Sequence, residues 1–142
     1  MNRFRLLAFG LLLTASLTQC RKATTDTAGR TDLQQCDLPY VQQQIAGTWK
    51  LSAITGGLCG SCDHPFAAGS YLTLAANRVT FGNAAQGVTE DGPITWQPAD
   101  LFGGGYYFAG PSGNGYLPVE IREGVLLLQQ YANDGVTYHY VR

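Results

Sequence analysis

Apolar and polar residues alternate with a period of two from residue 48 to the end of the chain, and glycine-rich turn signals interrupt the alternation. A period of two places neighbouring side chains on opposite faces of an extended strand. Dipeptides such as Asp134-Gly135 mark places where the chain reverses direction. The pattern predicts eight short strands, over residues 48–55, 70–75, 78–82, 93–97, 105–109, 116–122, 124–131 and 135–141.

The two faces of these strands differ in polarity, and this difference indicates the kind of sheet. One apolar and one solvated face are typical of antiparallel sheets. The alternation predicts that the core receives Trp49, Leu51 and Ala53 from the first strand, and Leu117, Val119 and Ile121 from the sixth. A meander of eight strands removes its exposed edges if it closes on itself. We therefore expect an all-β fold, an eight-stranded antiparallel up-and-down β-barrel.

One short helix is expected before the first strand. Asp37 can cap this helix, Pro39 fits its first turn and Gly47 can end it. The composition agrees with a small β-domain, because only 13% of the residues are charged and 18 of the 142 are glycine. We expect no further helix after residue 47.

The chain begins with a segment that is typical of exported proteins. Arg3 and Arg5 precede an uncharged, mostly apolar run over residues 6–17, which is shorter than the ~20 residues of a membrane-spanning helix. A positive start, a short apolar run and a small-residue end indicate a secretory signal peptide over residues 1–19. Export would place the rest of the chain in an oxidising compartment.

Leu17-Thr18-Gln19-Cys20 resembles a bacterial lipobox, in which the cysteine becomes the acylated first residue. The resemblance implies a lipid anchor on Cys20, followed by a flexible polar tether that ends at residue 36 and a folded domain over residues 37–142. It also implies attachment to the cell envelope, at the outer membrane and facing the periplasm. The alternative is an ordinary secreted protein in which Cys20 lies near the cleavage point.

Gly47-Thr48-Trp49, on the first strand after a short helix, resembles the Gly-x-Trp signature of the lipocalins. Over residues 46–142 the chain also resembles small lipocalin-like lipoproteins of Bacteroidetes-type bacteria. The resemblance implies a barrel whose closed base contains Trp49, packed under the helix. It further implies that Arg142 stacks on the Trp49 indole.

Cys59 and Cys62 lie three positions apart in a glycine-rich loop, and His64 follows two positions later. Haem attachment needs a histidine directly after the second cysteine, and a thioredoxin-like site needs a helix beside a parallel sheet. A zinc site from Cys36, Cys59, Cys62 and His64 has suitable ligands but fits an oxidising compartment poorly. We favour a structural Cys59–Cys62 disulfide, with Cys36 as an alternative partner. Without acylation of Cys20, four cysteines would allow two bridges.

Few other residues indicate chemistry. Without Arg3 and Arg5, the exported chain carries seven basic and ten acidic residues, a net charge of −3, and it lacks the basic patch that binds nucleic acid. Ser61, Asp63 and His64 have the residue types of a hydrolase triad, but they lie within four positions of each other, whereas triads assemble from distant segments. We expect neither enzyme activity, nor a metal, nor another cofactor.

The candidates for the barrel interior are five large side chains: Trp49, Phe81, Trp96, Tyr106 and Phe108. An eight-stranded barrel is just wide enough for side chains to fill it or for one small ligand to enter. These residues can therefore form a packed core or line a cavity. The first functional hypothesis is that the barrel binds a small apolar ligand.

The second hypothesis is a non-enzymatic interaction protein, such as an envelope-assembly factor or an inhibitor of a cell-wall hydrolase. Such a protein would act through exposed loops over residues 56–69 and 98–104. Phe66, Leu101 and Phe102 are the conspicuous apolar residues of these loops. Its partner would be an envelope protein rather than a small molecule.

Overall fold

The computed structural model describes residues 29–142, and within them ten strands and one α-helix. Helix α1 spans Leu38–Ile45, and 3₁₀ turns cover Leu33–Gln35 and Gly57–Cys59. The strands are β1 (Arg30–Asp32), β2 (Gly47–Gly56), β3 (Tyr71–Ala75), β4 (Arg78–Asn83), β5 (Gly87–Pro93), β6 (Thr95–Pro98), β7 (Tyr106–Ala109), β8 (Gly115–Arg122), β9 (Val125–Gln130) and β10 (Val136–Val141). The described helices are too short to cross a membrane. The signal peptide over residues 1–19 and the acylation of Cys20 remain predictions, because both lie outside the described residues.

The strands form one antiparallel sheet that curls into a nearly closed barrel, as the alternation predicts. Neighbours in the sheet follow the order β5-β4-β3-β2-β10-β9-β8-β7-β6, and β1 pairs with β8. The two edge strands β5 and β6 are consecutive in the chain, and only Ile94 separates them. One extended segment therefore pairs with β4 through its first half and with β7 through its second half. This segment therefore connects the two edges of the sheet, so that the sheet curls into a barrel.

The number of strands differs from the expected eight for two reasons. In the segment that contains β5 and β6, the alternation predicts a strand only over residues 93–97. β5 contains charged and small residues, so it lacks the apolar period from which a strand could be predicted. β1 lies in a polar stretch that the sequence assigns to the tether. If β5 and β6 are counted as one bent strand, the ring itself contains the expected eight.

Helix α1 closes one end of the barrel, which we call the base. Asp37 caps the helix by accepting a hydrogen bond from the backbone N–H of Tyr40 at 3.0 Å, and Pro39 lies in the first turn, as expected. Val41 and Ile45 point into the core. The opposite end, which we call the mouth, is formed by the connecting segments 57–70, 84–86, 110–114 and 131–135.

A bulge in β2 changes which side chains of this strand face the barrel interior. Ser52 is an extra residue relative to β10, so the pairing shifts at this point. Directly paired residues project from the same face of a sheet, and Ile54 pairs with Tyr138, which packs against the core. Ile54 therefore faces the interior, whereas the alternation predicts Ala53 there.

A second bulge, at Val119, has the same effect in β8. Beyond the bulge Ile121 packs against the core, as expected. Before it, Pro118 pairs with the core residue Leu128, so Leu117 lies on the outer face, although it is fully buried. The alternation correctly predicts that Leu117 is buried, but it wrongly places the side chain on the inner face. A bulge shifts the residues after it to the opposite face, and the residue types of the strand do not reveal the shift.

Residues 30–35, which the sequence assigns to the flexible tether, form β1 and a 3₁₀ turn. β1 pairs with the second half of β8. Glu120 of β8 is only 3% exposed, and it forms ion pairs with Arg30 and, at 2.8 Å, with Arg122. Leu33 is buried in the core. The folded unit therefore begins before residue 37.

Candidate functional site

The base of the barrel has the geometry that the Gly-x-Trp resemblance implies. Trp49 is buried, and its Nε1 donates a hydrogen bond to the carbonyl of Ile45 at 2.8 Å. The guanidinium of Arg142 lies 4.5 Å from the centre of the indole and donates to the carbonyls of Gln44 and Ala46, at 3.1 and 3.4 Å. The pocket beside them is about 180 Å³, smaller than the ~300 Å³ of the smallest typical ligand sites. The base is therefore a structural closure.

The five candidate residues for the interior are not equivalent. Trp49 and Phe108 are fully buried, and Phe81 and Trp96 are half-buried and pack against the core. The ring centres of Trp96 and Phe108 are 5.1 Å apart. Tyr106 is half-buried and lies outside the core cluster. Four of the five side chains therefore contribute to a packed core.

Toward the mouth, the inner face carries side chains that keep part of their surface exposed. Strand pairing or alternation with core residues places them on this face. These half-buried residues are Ile54, Phe81, Glu90, Gln130, Val136 and Tyr138. Leu72 and Leu128, by contrast, have no exposed surface. The inner face is therefore accessible to solvent at the mouth, and we call this accessible end of the interior the cup.

Three tyrosines line the cup, Tyr116 from β8 and Tyr138 and Tyr140 from β10. The ring centre of Tyr138 lies 6.0 Å from that of Tyr116 and 6.3 Å from that of Tyr140. Within residues 29–142 the hydroxyls of Tyr138 and Tyr140 make no hydrogen bond, and no fully buried side-chain polar atom lacks a partner. These two hydroxyls must therefore contact solvent. The hydroxyl of Tyr140 is therefore partly accessible, although the residue as a whole is only 4% exposed.

Desolvation keeps the three cup tyrosines in their neutral form. Burial raises the pKa of Tyr138, Tyr116 and Tyr140 above the usual value of about 10. The neighbouring tyrosines raise the pKa of Tyr116 and Tyr140 further, and the charge of Glu90 adds to the effect on Tyr116. At physiological pH these phenols are therefore uncharged groups that can both donate and accept a hydrogen bond.

Glu90 brings a carboxylate to the inner face of the cup, because it pairs directly with the core residue Phe81. Its Oε1 accepts a hydrogen bond from the backbone N–H of Ser112 at 2.9 Å. This bond joins β5 to the turn between β7 and β8, across the line where the sheet is not closed by strand pairing. The same oxygen lies 2.9 Å from the place that a Cβ at Gly110 would take, so a larger residue there would displace the Glu90 carboxylate.

The cysteine loop lies at the mouth. Cys59 and Cys62 form a disulfide with their Cα atoms 5.7 Å apart, which confirms the favoured interpretation of this pair. Cys36 is buried and is not the partner of either cysteine. Nε2 of His64 lies 2.9 Å from the carbonyl oxygen of Gly56, which holds the ring against the end of β2. The loop is thus a rigid part of the rim.

The other residues with possible chemistry make structural contacts. Asp63 forms an isolated bridge with Thr55. The Oγ1 of Thr55 lies 2.9 Å from Nε2 of His139, on the outer face of the barrel. Residues 29–142 contain no group of three His, Cys, Asp or Glu side chains that could hold a metal ion.

The two loops considered as partner contacts both expose apolar side chains. Loop 98–104 joins β6 to β7 and exposes Leu101 and Phe102. Its backbone N–H groups at Asp100 and Leu101 donate to the hydroxyl of Tyr131, which holds the loop against the wall of the barrel. Loop 56–69 lies at the mouth and exposes Phe66, which is 40% accessible.

An open groove lies outside the barrel, on the outer faces of β2 and β3. Its volume is about 590 Å³, and its lining residues are Thr48, Lys50, Leu51, Gly69, Ser70, Tyr71 and Thr73. The wall between the groove and the cup is the sheet itself, because Lys50 and Tyr71 pair on the face opposite to Trp49 and Leu72.

Comparisons of the chain with family models, with curated proteins and with solved structures gave no match. The membership of a lipocalin-like family therefore stays a prediction. The function has to be inferred from the geometry of the cup.

Sequence reasoning missed the polar residues of the cup. Tyr138 and Tyr140 alternate around His139, and this period is a signal for an inner face. Tyr116 lies near the start of β8, before the bulge at Val119. Because the bulge inverts the alternation, the sequence pattern places Tyr116 on the outer face. Glu90 lies in a segment without an apolar period, so only the strand pairing places it inside.

Proposed function

We propose that this protein is a non-enzymatic binding protein of the cell envelope that holds a small, mostly apolar molecule in the mouth of its barrel. The observation that carries the proposal is the partly exposed inner face at the mouth, where the hydroxyls of Tyr138 and Tyr140 have no hydrogen-bond partner in the described part of the chain. A concave, mostly apolar site with a few polar groups is the usual form of a small-molecule site. Buried tyrosine hydroxyls normally have a hydrogen-bond partner, and a bound ligand would supply one.

The packed core limits the size of this ligand. Phe108, Leu72 and Leu128 are fully buried, so side chains fill their part of the barrel interior. Only the part of the inner face that stays accessible at the mouth can receive a ligand. We therefore expect the ligand to be one compact molecule with a few rings or a short chain. A long lipid would need the whole barrel and is not expected to bind.

Saturable binding of a neutral apolar dye, N-phenyl-naphthylamine, would test this proposal. The probe is titrated into the mature chain, which begins at residue 20 and is produced without acylation. We expect one dye molecule per chain. Tyr138→Trp adds volume inside the cup and is expected to weaken binding about tenfold, since overfilling a packed space costs about 1–3 kcal/mol.

A matched control separates the cup from the groove outside it. Thr73→Trp adds a similar bulk to the outer groove and is expected to leave the affinity for the dye unchanged. If Thr73→Trp abolishes binding and Tyr138→Trp does not, the dye occupies the groove and the proposal is wrong. The absence of saturable binding would also contradict it.

We further propose that Cys20 is acylated and anchors the barrel to the outer membrane, on the periplasmic side. The proposal rests on the lipobox-like segment that ends at Cys20. Each buried acyl CH₂ contributes about 0.8 kcal/mol, so two or more chains anchor a protein stably. The mass of the chain from a membrane fraction is expected to begin at Cys20 and to include the acyl groups. An unmodified chain in the soluble periplasmic fraction, with two disulfides, would support the secreted alternative.

A second candidate function is the binding of an envelope protein by the rim. Leu58 lies on the tip of the disulfide loop and is 91% exposed, and Phe66 of the same loop is also exposed. Contiguous exposed apolar patches mark interaction sites, and this candidate requires that Leu58 and Phe66 contribute to one such patch. Leu58→Ser would then abolish binding of the partner and leave the dye affinity unchanged, and Tyr138→Trp would have the opposite effects.

A further inference from the structure

The charge distribution in the cup indicates the chemical class of its ligand, provided that the cup binds a small molecule as proposed above. The described strands place no lysine or arginine on the inner face. The basic side chains of β1 to β10 lie elsewhere: Lys50 lines the outer groove, Arg78 pairs with Asp91, and Arg30 and Arg122 pair with Glu120. An anionic ligand would therefore find no counter-charge inside the cup.

Glu90 supplies the opposite charge at the inner face. Its one hydrogen-bond donor in the described part of the chain is the backbone N–H of Ser112, which is uncharged. The other carboxylate oxygen, Oε2, has no donor there. A cation bound beside this carboxylate would be attracted to it, and the attraction is stronger in a partly desolvated site than in bulk water. The charge of Glu90 therefore favours a cation in the cup.

Two aromatic rings lie next to this carboxylate. Phe81 pairs with Glu90 across β4 and β5, and the ring centre of Phe81 is 5.3 Å from that of Tyr116. The place of a Cβ at Gly110 is close both to Oε1 of Glu90 and, at 3.8 Å, to Cε2 of Tyr116. The faces of aromatic rings attract cations, most strongly where water is excluded. The rings and the carboxylate thus favour the same kind of group.

We infer that the cup takes a mostly apolar ligand that carries a positively charged amine group, with Glu90 as its counter-ion and the rings of Phe81 and Tyr116 beside it. The hydroxyls of Tyr138 and Tyr140 offer hydrogen bonds to any neutral polar group of the same ligand. The inference deepens the proposed function, because it assigns the sign of the charge that the site selects.

Three probes with the same ring system and different charges test the inference: naphthylmethylamine, naphthalenemethanol and naphthoic acid. Their affinities for the mature, unacylated chain are measured by calorimetric titration. We expect the amine to bind about tenfold more tightly than the alcohol, because a partly desolvated ion pair contributes more than a kilocalorie. The acid is expected to bind most weakly.

Glu90→Gln removes the charge and keeps an oxygen that can accept the hydrogen bond from Ser112. In this variant the amine is expected to bind no more tightly than the alcohol, while the affinity for the alcohol is unchanged and shows that the cup is intact. Glu123→Gln makes the same chemical change at the exposed turn between β8 and β9. This control is expected to preserve the order of the three probes.

The possible results separate the inference from the proposed function. If the acid binds as tightly as the amine, or if Glu90→Gln keeps the advantage of the amine, the inference is wrong. Binding of the alcohol that is sensitive to Tyr138→Trp would still support a small-molecule site in that case. If none of the three probes binds, both the inference and the proposed function are contradicted.

Discussion

Removal of Arg142 tests whether the base is held as the geometry indicates. In Arg142→Ala the chain loses the contact of the guanidinium with the Trp49 ring, at 4.5 Å, and two hydrogen bonds to carbonyls at the end of α1. An exposed cation–π contact contributes about 0.5–1 kcal/mol. The two hydrogen bonds are exposed to solvent and contribute together about 1 kcal/mol, including the favourable position of a cation at a helix C-terminus. We expect a loss of about 2 kcal/mol in the free energy of unfolding.

The assay is urea unfolding followed by tryptophan fluorescence, with Arg142→Lys as the matched variant. Lysine keeps the charge but not the planar group that lies over the indole, so we expect about half of the loss. A double-mutant cycle with Trp49→Leu, which removes the aromatic ring, isolates the contact between the two side chains, and we expect a coupling energy of about 0.5–1 kcal/mol. A loss below about 0.3 kcal/mol for Arg142→Ala, within the range of neutral surface substitutions, would refute the reasoning. So would a cycle without coupling.

Four further predictions concern other parts of the barrel. The raised pKa of the three cup tyrosines means that their contribution to stability is complete below the unfolded pKa of about 10 and is lost as the pH rises through the folded values. A tyrosinate titration is therefore expected to show a late group, and a single transition would contradict this. Gly82→Ala places a methyl group against the Tyr71 ring and the carbonyl of Gly87, and urea unfolding is expected to show a loss of about 1–3 kcal/mol; an unchanged midpoint would be inconsistent with that packing. Glu120→Gln removes the charge that holds β1, so proteolysis within residues 29–36 is expected to become faster, and an equal rate would show that the ion pairs are not needed. Reduction of the disulfide in the mouth loop is expected to cost at most about 2 kcal/mol, because the closed loop is short, and to leave dye binding in the cup unchanged; lost binding would show that the rim shapes the site.

The sequence predicts the parts of this fold in which local signals and burial agree. The helix α1 follows from Asp37, Pro39 and the glycine after it, because each residue satisfies a requirement of a helix end. The barrel follows from the period of two and the regular turns. The contact of Arg142 with Trp49 follows only from a resemblance, and no local property of either residue indicates it.

The parts that sequence reasoning misses depend on pairing between distant strands. A bulge at Ser52 or at Val119 exchanges the inner and outer positions along the rest of the strand. Neither residue is of a type that indicates a bulge from the sequence. β5 has no apolar period, because its inner-face positions are occupied by Glu90 and Gly92 rather than by large apolar residues. The inner position of Glu90 is the consequence that matters most for function, since it supplies the charge of the cup.

Occupation of the cup by a ligand can be measured by native mass spectrometry of the mature, unacylated chain after incubation with naphthylmethylamine. We expect a complex with one probe per chain. The fraction of chain in this complex should fall strongly in Tyr138→Trp, in line with an affinity about tenfold weaker, and stay the same in Leu58→Ser, which changes only the exposed tip of the rim. A chain that keeps its unliganded mass with the disulfide intact, or a complex that is equally abundant in Tyr138→Trp, would contradict a binding site inside the barrel.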